Sequence, residues 1–208
     1  MGLESDATSG REALISAGLR LLETEGPRGL TLRRIASDAG LSHAAPAYHF
    51  AGLSGLLTAM ASRAHEIFAA KMHRAVAIED PFKRLLGICE GYLEFAHEHA
   101  GLFHLMFLEP RVDPRSAEFL AANSTSYNLL RTGCLPFSAS GDPDPVIEFA
   151  VWSLVHGFAV LNLSQAMMPG LVDHPPRFAQ LLARVVQHEL PISARRSTRA
   201  SGRRPNAK

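Results

Sequence analysis

Apolar residues recur every three or four positions along most of the 208-residue chain, which is the period of a helix with one buried face. The pattern predicts nine helices, of which the fourth starts at residue 52 or 54 and runs to about 78. The others cover residues 9–26, 31–39, 42–50, 80–100, 102–108, 114–134, 145–168 and 175–190. No stretch alternates apolar and polar residues in the way that a half-buried strand requires. We therefore predict an all-α fold.

Capping residues set several of these boundaries. Ser9 and Glu12 have the spacing of a capping box, which predicts that the first helix begins there and that residues 1–8 lie outside it. In the second half of the chain, Asp precedes Pro four times. Because Asp caps a helix and Pro fits its first turn, each pair predicts a helix start. The pairs are Asp80-Pro81, Asp113-Pro114, Asp142-Pro143 and Asp144-Pro145.

Residues 30–57 have the features of two short helices joined by a sharp turn. Thr31 is a good cap for the first helix, Gly40 can take the positive φ of the turn, and Ser42 is placed to cap the second helix. An ordinary helical hairpin also contains such a turn. The close order of cap, turn glycine and second cap favours a helix-turn-helix that reads DNA.

This stretch resembles the N-terminal domain of the TetR (tetracycline-repressor) family of transcription regulators over residues 11–57. The resemblance is carried by Ile35-Ala36, Ala39-Gly40-Leu41-Ser42, Tyr48-His49-Phe50 and Leu56-Leu57, and residues 152–157 resemble a segment of the ligand domain. It implies a three-helix DNA-binding domain at residues 1–52 and a larger helical domain for ligand binding and dimerisation at residues 53–192. Ala47 and Leu53 depart from the family, which usually has Tyr and a phosphate-binding Lys at these positions.

The second helix of this unit is predicted to supply the side chains that read DNA. Hydrogen bonds to base edges would come from His43 and Tyr48, and the methyl groups of Ala44 and Ala45 would meet thymine methyl groups. Phosphate contacts would set the register on the duplex. The candidates are Thr31, Arg33, Arg34, Tyr48 and His49, with Ser42 at the helix start.

The net charge of the first fifty residues affects how strongly this part of the chain is expected to bind DNA. The first fifty residues hold five arginines and six acids, and the whole chain has a formal net charge of +1. Binding through phosphate contacts is therefore expected to be modest for one monomer, which makes a homodimer on a double-stranded operator more necessary. The predicted helices eight and nine show more apolar surface than one domain is expected to bury, which favours a two-fold four-helix interface.

Large aromatic or flexible side chains and a few polar groups collect on the predicted helices five to eight. For any single residue, a place in the core is the simpler interpretation, but the combination is typical of small-molecule pockets between helices. The family resemblance implies an inducer there, a small hydrophobic or aromatic molecule. The candidates are Phe95, Phe103, Met106, Phe107, Phe119, Asn123, Tyr127, Trp152, His156 and Met167.

Composition excludes several other classes of protein. Hydrophobic residues make up 47% and charged residues 20%, which is typical of a globular chain. Two cysteines without a CxxC pair, and no secretory signal pattern, favour a cytoplasmic location. The longest apolar run, residues 149–163, is shorter than the roughly twenty residues that span a bilayer, so we expect no membrane segment. Residues 193–208 are basic and are predicted to be disordered.

Histidines suggest other chemistry, which the spacing does not favour. His97 and His99 would face different ways on a helix and His104 follows a predicted break, so we expect no metal site. No acid or nucleophile is placed to act with His156, so a hydrolase is remote and we expect neither catalysis nor a cofactor. Two interpretations stay open. One is a ligand-responsive DNA-binding regulator, which the family resemblance implies is a repressor; the other is a ligand-binding or interaction protein whose DNA-binding domain is weakened or vestigial.

Overall fold

The computed structural model describes residues 3–164 and 177–187. Its helices there are α1 Leu3–Glu25, α2 Leu32–Asp38, α3 Ala45–His49, α4 Gly52–His73, α5 Pro81–Glu98, α6 Ala100–Phe107, α7 Ala117–Cys134, α8 Pro145–Leu163 and α9 Phe178–Gln187. No strand occurs in the described ranges, and the prediction of an all-α fold is confirmed. The predicted end of helix eight at Met168, the predicted start of helix nine at Pro175 and the tail 193–208 lie outside the described residues.

Helix α1 begins at Leu3 and passes through Ser9, so the predicted capping box is wrong. The Glu12 carboxylate accepts two hydrogen bonds from the Arg63 guanidinium of α4, at 2.5 and 3.0 Å. Because the residues before Ser9 are already helical, Ser9 and Glu12 are not at a helix start, and the Glu12 side chain is left to bond to α4. The helix ends as predicted at Gly26, whose φ is 74°.

Two of the four Asp-Pro predictions are confirmed. Asp80 and Asp144 cap α5 and α8, and each side chain accepts a hydrogen bond from a backbone N–H in the first turn, at 2.7 and 2.9 Å. The predictions at Asp113 and Asp142 are wrong, because both residues lie in the loops before their helices. Ser116 caps α7 instead, which leaves Asp113 free to accept from a backbone N–H two residues on.

Helices α1, α2 and α3 form a three-helix unit that packs on the start of α4. Leu14, Ile35 and Phe50 are buried at its centre. Gly40, with a φ of 68°, makes the sharp turn after α2 as predicted. At its other end α4 stops at His73, earlier than the predicted 78, because the following residues form turns.

Helices α4 to α9 form the larger helical domain, and α4 lies at its centre against α5, α6 and α7. The crossing of α5 over α4 is close, since a Cβ added at Gly91 would lie 2.7 Å from the Lys71 carbonyl oxygen. The Lys71 ammonium lies beside this crossing, 2.9 Å from the Glu94 carboxylate. One hydrophobic core runs from the three-helix unit into the larger domain. Helix α4 therefore belongs to both parts of the molecule.

Helix α8 has one covered face and one exposed face. Val151, Val155 and Ala159 are buried against neighbouring helices, whereas Val146 and Phe149 are 69% and 64% exposed. Among the described residues, α8 is the one helix whose length and apolar composition would allow it to cross a membrane. Core helices of soluble proteins meet the same criterion. Its contacts with α5, α7 and α9 make it part of the helical domain. The exposed face is a large apolar surface on the monomer.

Candidate DNA interface and ligand cavity

Most of the predicted DNA-contacting residues are exposed around α2 and α3. Tyr48 is 79% exposed, a high value for an aromatic side chain. Thr31, Arg33, Arg34, Ser42, His43 and Ala44 are also exposed, whereas Ala45 and His49 are half-buried. The His49 ring packs against α1, where a Cβ added at Gly10 would lie 2.9 Å from its Nε2. His49 is therefore placed to hold α3 against α1, and Tyr48 to reach a partner in solution.

The start of α3 differs from the prediction. Ser42 does not cap the helix with its side chain; its carbonyl accepts from the Ala45 N–H at 3.0 Å, and α3 begins at Ala45. His43 and Ala44 consequently lie in the turn before the helix. Pro46 explains the shift, because it falls in the first turn of α3, where its missing N–H costs no helical hydrogen bond.

Several arginines near this surface are neutralised by carboxylates. The Arg34 guanidinium lies 2.6 Å from the Glu25 carboxylate, and Arg20 lies 2.8 Å from Asp38. The Arg33 side chain is exposed and has no ion-pair partner among the described residues. A phosphate group would therefore meet Arg33 as a free cation, while Arg34 would exchange or share an existing carboxylate partner.

The two departures from the family pattern occupy different surroundings. Ala47 is exposed on α3, so this position offers a methyl group to a partner. Leu53 packs against the hydrophobic core in the first turn of α4. The residue that replaces the family's lysine thus contributes to folding, and no cation stands at this position.

A cavity of about 170 Å³ lies between α4, α5, α6, α7 and α8. Its apolar wall is mainly aromatic, and four neutral polar side chains interrupt it. The apolar and aromatic lining residues are Phe68, Met72, Tyr92, Phe107, Leu130 and Trp152. The polar ones are His65, Asn123, Ser126 and Tyr127. No Asp, Glu, Lys or Arg is among the described lining residues.

Hydrogen bonds connect the polar lining groups to one another and to their neighbours. His65 Nδ1 lies 3.2 Å from Ser126 Oγ, and the Tyr127 hydroxyl donates to a Glu148 carboxylate oxygen at 2.6 Å. The Tyr92 hydroxyl shares a hydrogen bond of 2.7 Å with His156 Nδ1. His65 is 1% exposed, and its Nε2 has no hydrogen-bond partner in the described part of the chain.

Burial controls the protonation of these groups. It lowers the pKa of His65 from its ordinary 6.5 to about 4 and also lowers the pKa of His156, because a charged imidazole loses its hydration in the interior. Burial raises the pKa of Tyr92. The hydrogen bond to Glu148 raises the pKa of Tyr127, since it favours the protonated phenol. At neutral pH the cavity wall therefore has no formal charge.

The predicted ligand residues divide into two groups in the structure. Phe107, Asn123, Tyr127 and Trp152 line the cavity. Four others are buried in the core behind it: Phe95, Phe103, Met106 and Phe119. His156 lies between the two groups, and its ring centroid is 5.0 Å from that of Phe107 and 6.5 Å from that of Trp152. Met167 lies outside the described residues.

Sequence reasoning missed the contribution of α4 to this cavity. His65, Phe68 and Met72 occur at spacings of three and four, so they share one face of a helix, and that signal was available in the sequence. Tyr92, Ser126 and Leu130 were also missed.

The three histidines weighed as metal ligands are placed apart from the cavity. His99 is bonded to Glu23 of α1, with Nδ1 and the carboxylate oxygen 2.5 Å apart. His97 and His104 are exposed. Among the described residues, no group of three or more His, Cys, Asp or Glu side chains is arranged to hold a metal ion.

Comparison with known proteins gives two family matches and several relatives. Residues 14–60 match the model described as bacterial regulatory proteins, tetR family. Residues 85–188, half of the chain, match the tetracyclin repressor-like C-terminal domain. An uncharacterised HTH-type transcriptional regulator of Mycobacterium tuberculosis is 22% identical over 157 residues, which is 76% of this chain and 72% of that protein.

Solved structures share the fold. A protein with unknown function from a Rhodococcus species is 27% identical, with a TM-score of 0.66 over 86% of this chain and 92% of that one. A structure of the multidrug binding protein EbrR complexed with imidazole is 22% identical, with a TM-score of 0.60 over 84% of this chain and 88% of that one. With both its N-terminal and C-terminal regions matched, the chain belongs to the TetR family of helix-turn-helix transcriptional regulators.

Proposed function

We propose that this protein is a ligand-responsive repressor that binds operator DNA as a homodimer in the cytoplasm and is released by a small hydrophobic molecule. The observation that carries the proposal is that two helices lining the cavity also contact the three-helix unit. Helix α4 follows that unit directly and lines the cavity with His65, Phe68 and Met72. Helix α7 lines the opposite side, and its first turn reaches α1.

Specific contacts join these helices to the DNA-binding unit. The Arg11 guanidinium of α1 lies 2.6 Å from the Glu118 carboxylate in the first turn of α7. On the neighbouring side, Arg63 of α4 forms its bidentate bond with Glu12 of α1. A change in the spacing of α4 and α7 at the cavity would therefore alter two ionic contacts on α1, against which His49 of α3 packs.

The mechanism follows from this arrangement and from dimer geometry. Two recognition helices of a dimer must meet successive major grooves, which are about 34 Å apart. A ligand that binds one arrangement of α4 and α7 more tightly shifts the population toward it, and the recognition helices then no longer match this spacing. Recognition would use Tyr48 and His43 for base edges and Arg33, Arg34 and Thr31 for phosphate.

The exposed face of α8 supports the homodimer. Val146 and Phe149 expose apolar surface on one face of α8, and a second copy of α8 and α9 would cover them. Phe149→Glu should give monomers in sedimentation at micromolar concentration, whereas the exposed change Glu79→Gln, which lies before α5 and outside α8, should leave the dimer intact. A wild type that sediments as a monomer would refute this interface.

The function is tested by selecting bound sequences from random DNA. We expect a palindromic operator, and Tyr48→Ala should lose specific binding while its circular dichroism and unfolding midpoint stay unchanged, because the side chain is exposed. The alternative, a ligand-binding protein with a vestigial DNA-binding domain, is favoured by Ala47 and Leu53. It predicts that no sequence is enriched, and that result would refute the repressor.

Coupling is tested by removing a contact away from both sites. Glu118→Gln breaks the ion pair with Arg11, and because both side chains are partly exposed, stability should fall by no more than about 1 kcal/mol. The ligand concentration needed for operator release should change, while operator affinity without ligand stays within a few fold. Glu94→Gln is the control, since it removes partly exposed ion pairs between α4 and α5 that do not involve α1. Equal behaviour of the two variants would exclude Glu118 from the coupling.

A further inference from the structure

The hydrogen bonds at the cavity wall favour one tautomer of His65. The geometry lets the Ser126 hydroxyl donate its single proton to the Asn123 carbonyl at 2.9 Å. With that proton so placed, the bond of 3.2 Å between Ser126 Oγ and His65 Nδ1 uses a proton on Nδ1. A neutral imidazole has one N–H, so His65 Nε2 carries a lone pair and no proton. This nitrogen is buried and has no partner within the described residues.

The hydroxyl groups of the two tyrosines at the wall are also engaged in hydrogen bonds. Tyr127 donates its proton to Glu148, and the Tyr92 hydroxyl is bonded to His156 Nδ1, with the donor set by the imidazole tautomer. The Tyr127 hydroxyl therefore has only oxygen lone pairs left to offer a ligand.

The Asn123 amide and the Trp152 indole at the wall carry N–H donors. Among the cavity-lining side chains of the described residues, His65 Nε2 is the buried acceptor without a hydrogen-bond partner; Glu148 Oε1, behind Tyr127, is a second one outside the lining. A buried acceptor without a donor is costly, and a ligand that supplies the donor recovers that free energy.

The size and the charge of the cavity limit which ligands it can bind. An uncharged wall gives no counter-ion to a carboxylate or an ammonium group, so burial of a charged ligand would be penalised. The volume of about 170 Å³ is close to that of an engineered apolar cavity of about 150 Å³ that holds benzene. Aromatic side chains on several sides match a flat ring.

We propose that the ligand of this cavity is an uncharged molecule of about one aromatic ring that carries a hydrogen-bond donor, a phenolic O–H or an aromatic N–H, and that it donates to His65 Nε2. This inference rests on the proposed function for its regulatory meaning, but its binding test does not require DNA. The ring would lie among Phe68, Phe107 and Trp152, and the donor would point toward α4.

Four probe molecules of similar shape separate the contributions of a hydrogen-bond donor, an acceptor and a charge to binding. 4-Methylphenol has the donor, 4-methylanisole keeps an oxygen acceptor without a donor, p-xylene has neither, and 4-methylbenzoate is charged. Titration calorimetry should show 4-methylphenol binding about tenfold more tightly than 4-methylanisole or p-xylene. The benzoate should bind most weakly. Equal affinities for 4-methylphenol and p-xylene, or no binding of 4-methylphenol, would overturn the proposal.

Substitution of His65, which carries the proposed acceptor, gives a second test. His65→Phe fits the aromatic surroundings and should remove the preference for 4-methylphenol, whereas His65→Gln, which keeps an amide oxygen, should retain part of it. Nitrogen NMR of the wild-type histidines gives a readout that needs no variant. His65 should show a protonated Nδ1 and a bare Nε2 whose signal moves when 4-methylphenol binds. A protonated Nε2, or a preference that survives His65→Phe, would refute the assignment.

The two proposals fail in different ways. If 4-methylphenol binds through His65 and the selected operator is not released, the ligand class stands and the repressor mechanism fails. If other compounds release the operator and 4-methylphenol does not bind, the regulatory function stands and the ligand class is wrong.

Discussion

His65 should make the stability of this protein depend on pH in a way that one substitution removes. The pKa of its imidazole is about 4 in the folded chain because of burial, against an ordinary 6.5 in the unfolded chain. As the pH falls below 6.5, the unfolded chain takes up a proton that the folded chain does not. Acidification therefore favours unfolding, and the stability is fully present only above about pH 6.5.

The size of the effect follows from the two pKa values. At about pH 5 the unfolded imidazole is almost fully protonated and the folded one is not, which costs about 2 kcal/mol of unfolding free energy relative to neutral pH. Below about pH 4 the loss approaches 3 kcal/mol. Since His65 is 1% exposed, solvent does not screen this term. The other titratable groups at the cavity are Tyr92 and Tyr127, whose raised pKa values keep them neutral in this range, with Glu148 beyond Tyr127.

The measurement is urea unfolding of the wild type and of His65→Phe at a fixed protein concentration, between neutral pH and about pH 5. At neutral pH the difference between the two proteins reports packing and the lost Ser126 bond. On acidification the wild type should lose about 2 kcal/mol more than the variant. His156, whose pKa is also lowered by burial, is present in both proteins and cancels in the difference. Parallel losses would show that His65 is not buried and neutral.

Three further predictions concern caps, helix crossings and DNA affinity. Thr31→Ala should cost about 1 kcal/mol in urea unfolding, because the hydroxyl accepts from a backbone N–H of α2 at 3.2 Å. Gly91→Ala should destabilise by about 1 to 3 kcal/mol, since its Cβ would lie 2.7 Å from a carbonyl oxygen of α4, whereas Gly55→Ala, with 3.6 Å of clearance, should not destabilise. Glu25→Gln removes the ion-pair partner of Arg34 and should raise the affinity for DNA of any sequence. The slope of log affinity against log salt concentration should become steeper by about one, and an unchanged slope would exclude Arg34 from phosphate contact.

Much of the fold was predictable because it depends on neighbours in the sequence. Thr31, Asp80 and Asp144 cap helices through amides two or three residues away, and Gly40 turns the chain by its own φ. The prediction at Ser9 failed because the helix already begins at Leu3, and Glu12 instead bonds to Arg63, 51 residues away, which no local pattern reports.

The cavity was less predictable, since its walls come together from five helices. Aromatic residues on α6 to α8 were identified from composition, but composition does not distinguish a residue that lines a cavity from one directly behind it. Phe103 and Phe107 differ in this respect although they are one turn apart. The role of His65 depends on Ser126, which is 61 residues away, so its free Nε2 is visible only in three dimensions.

The charge of the DNA-binding unit suggests why a small movement would be enough to release an operator. Arg11, Arg20 and Arg34 each lie within 2.8 Å of a carboxylate, which leaves Arg33, among the arginine side chains described in this unit, as an exposed cation free to meet phosphate. One unit should therefore bind weakly, and a dimer gains affinity because the second unit, once the first is bound, is held at a high effective concentration near its half-site. That gain disappears when the two recognition helices no longer match the groove spacing. A ligand then needs only to change the distance between the two units, and it need not alter either recognition surface.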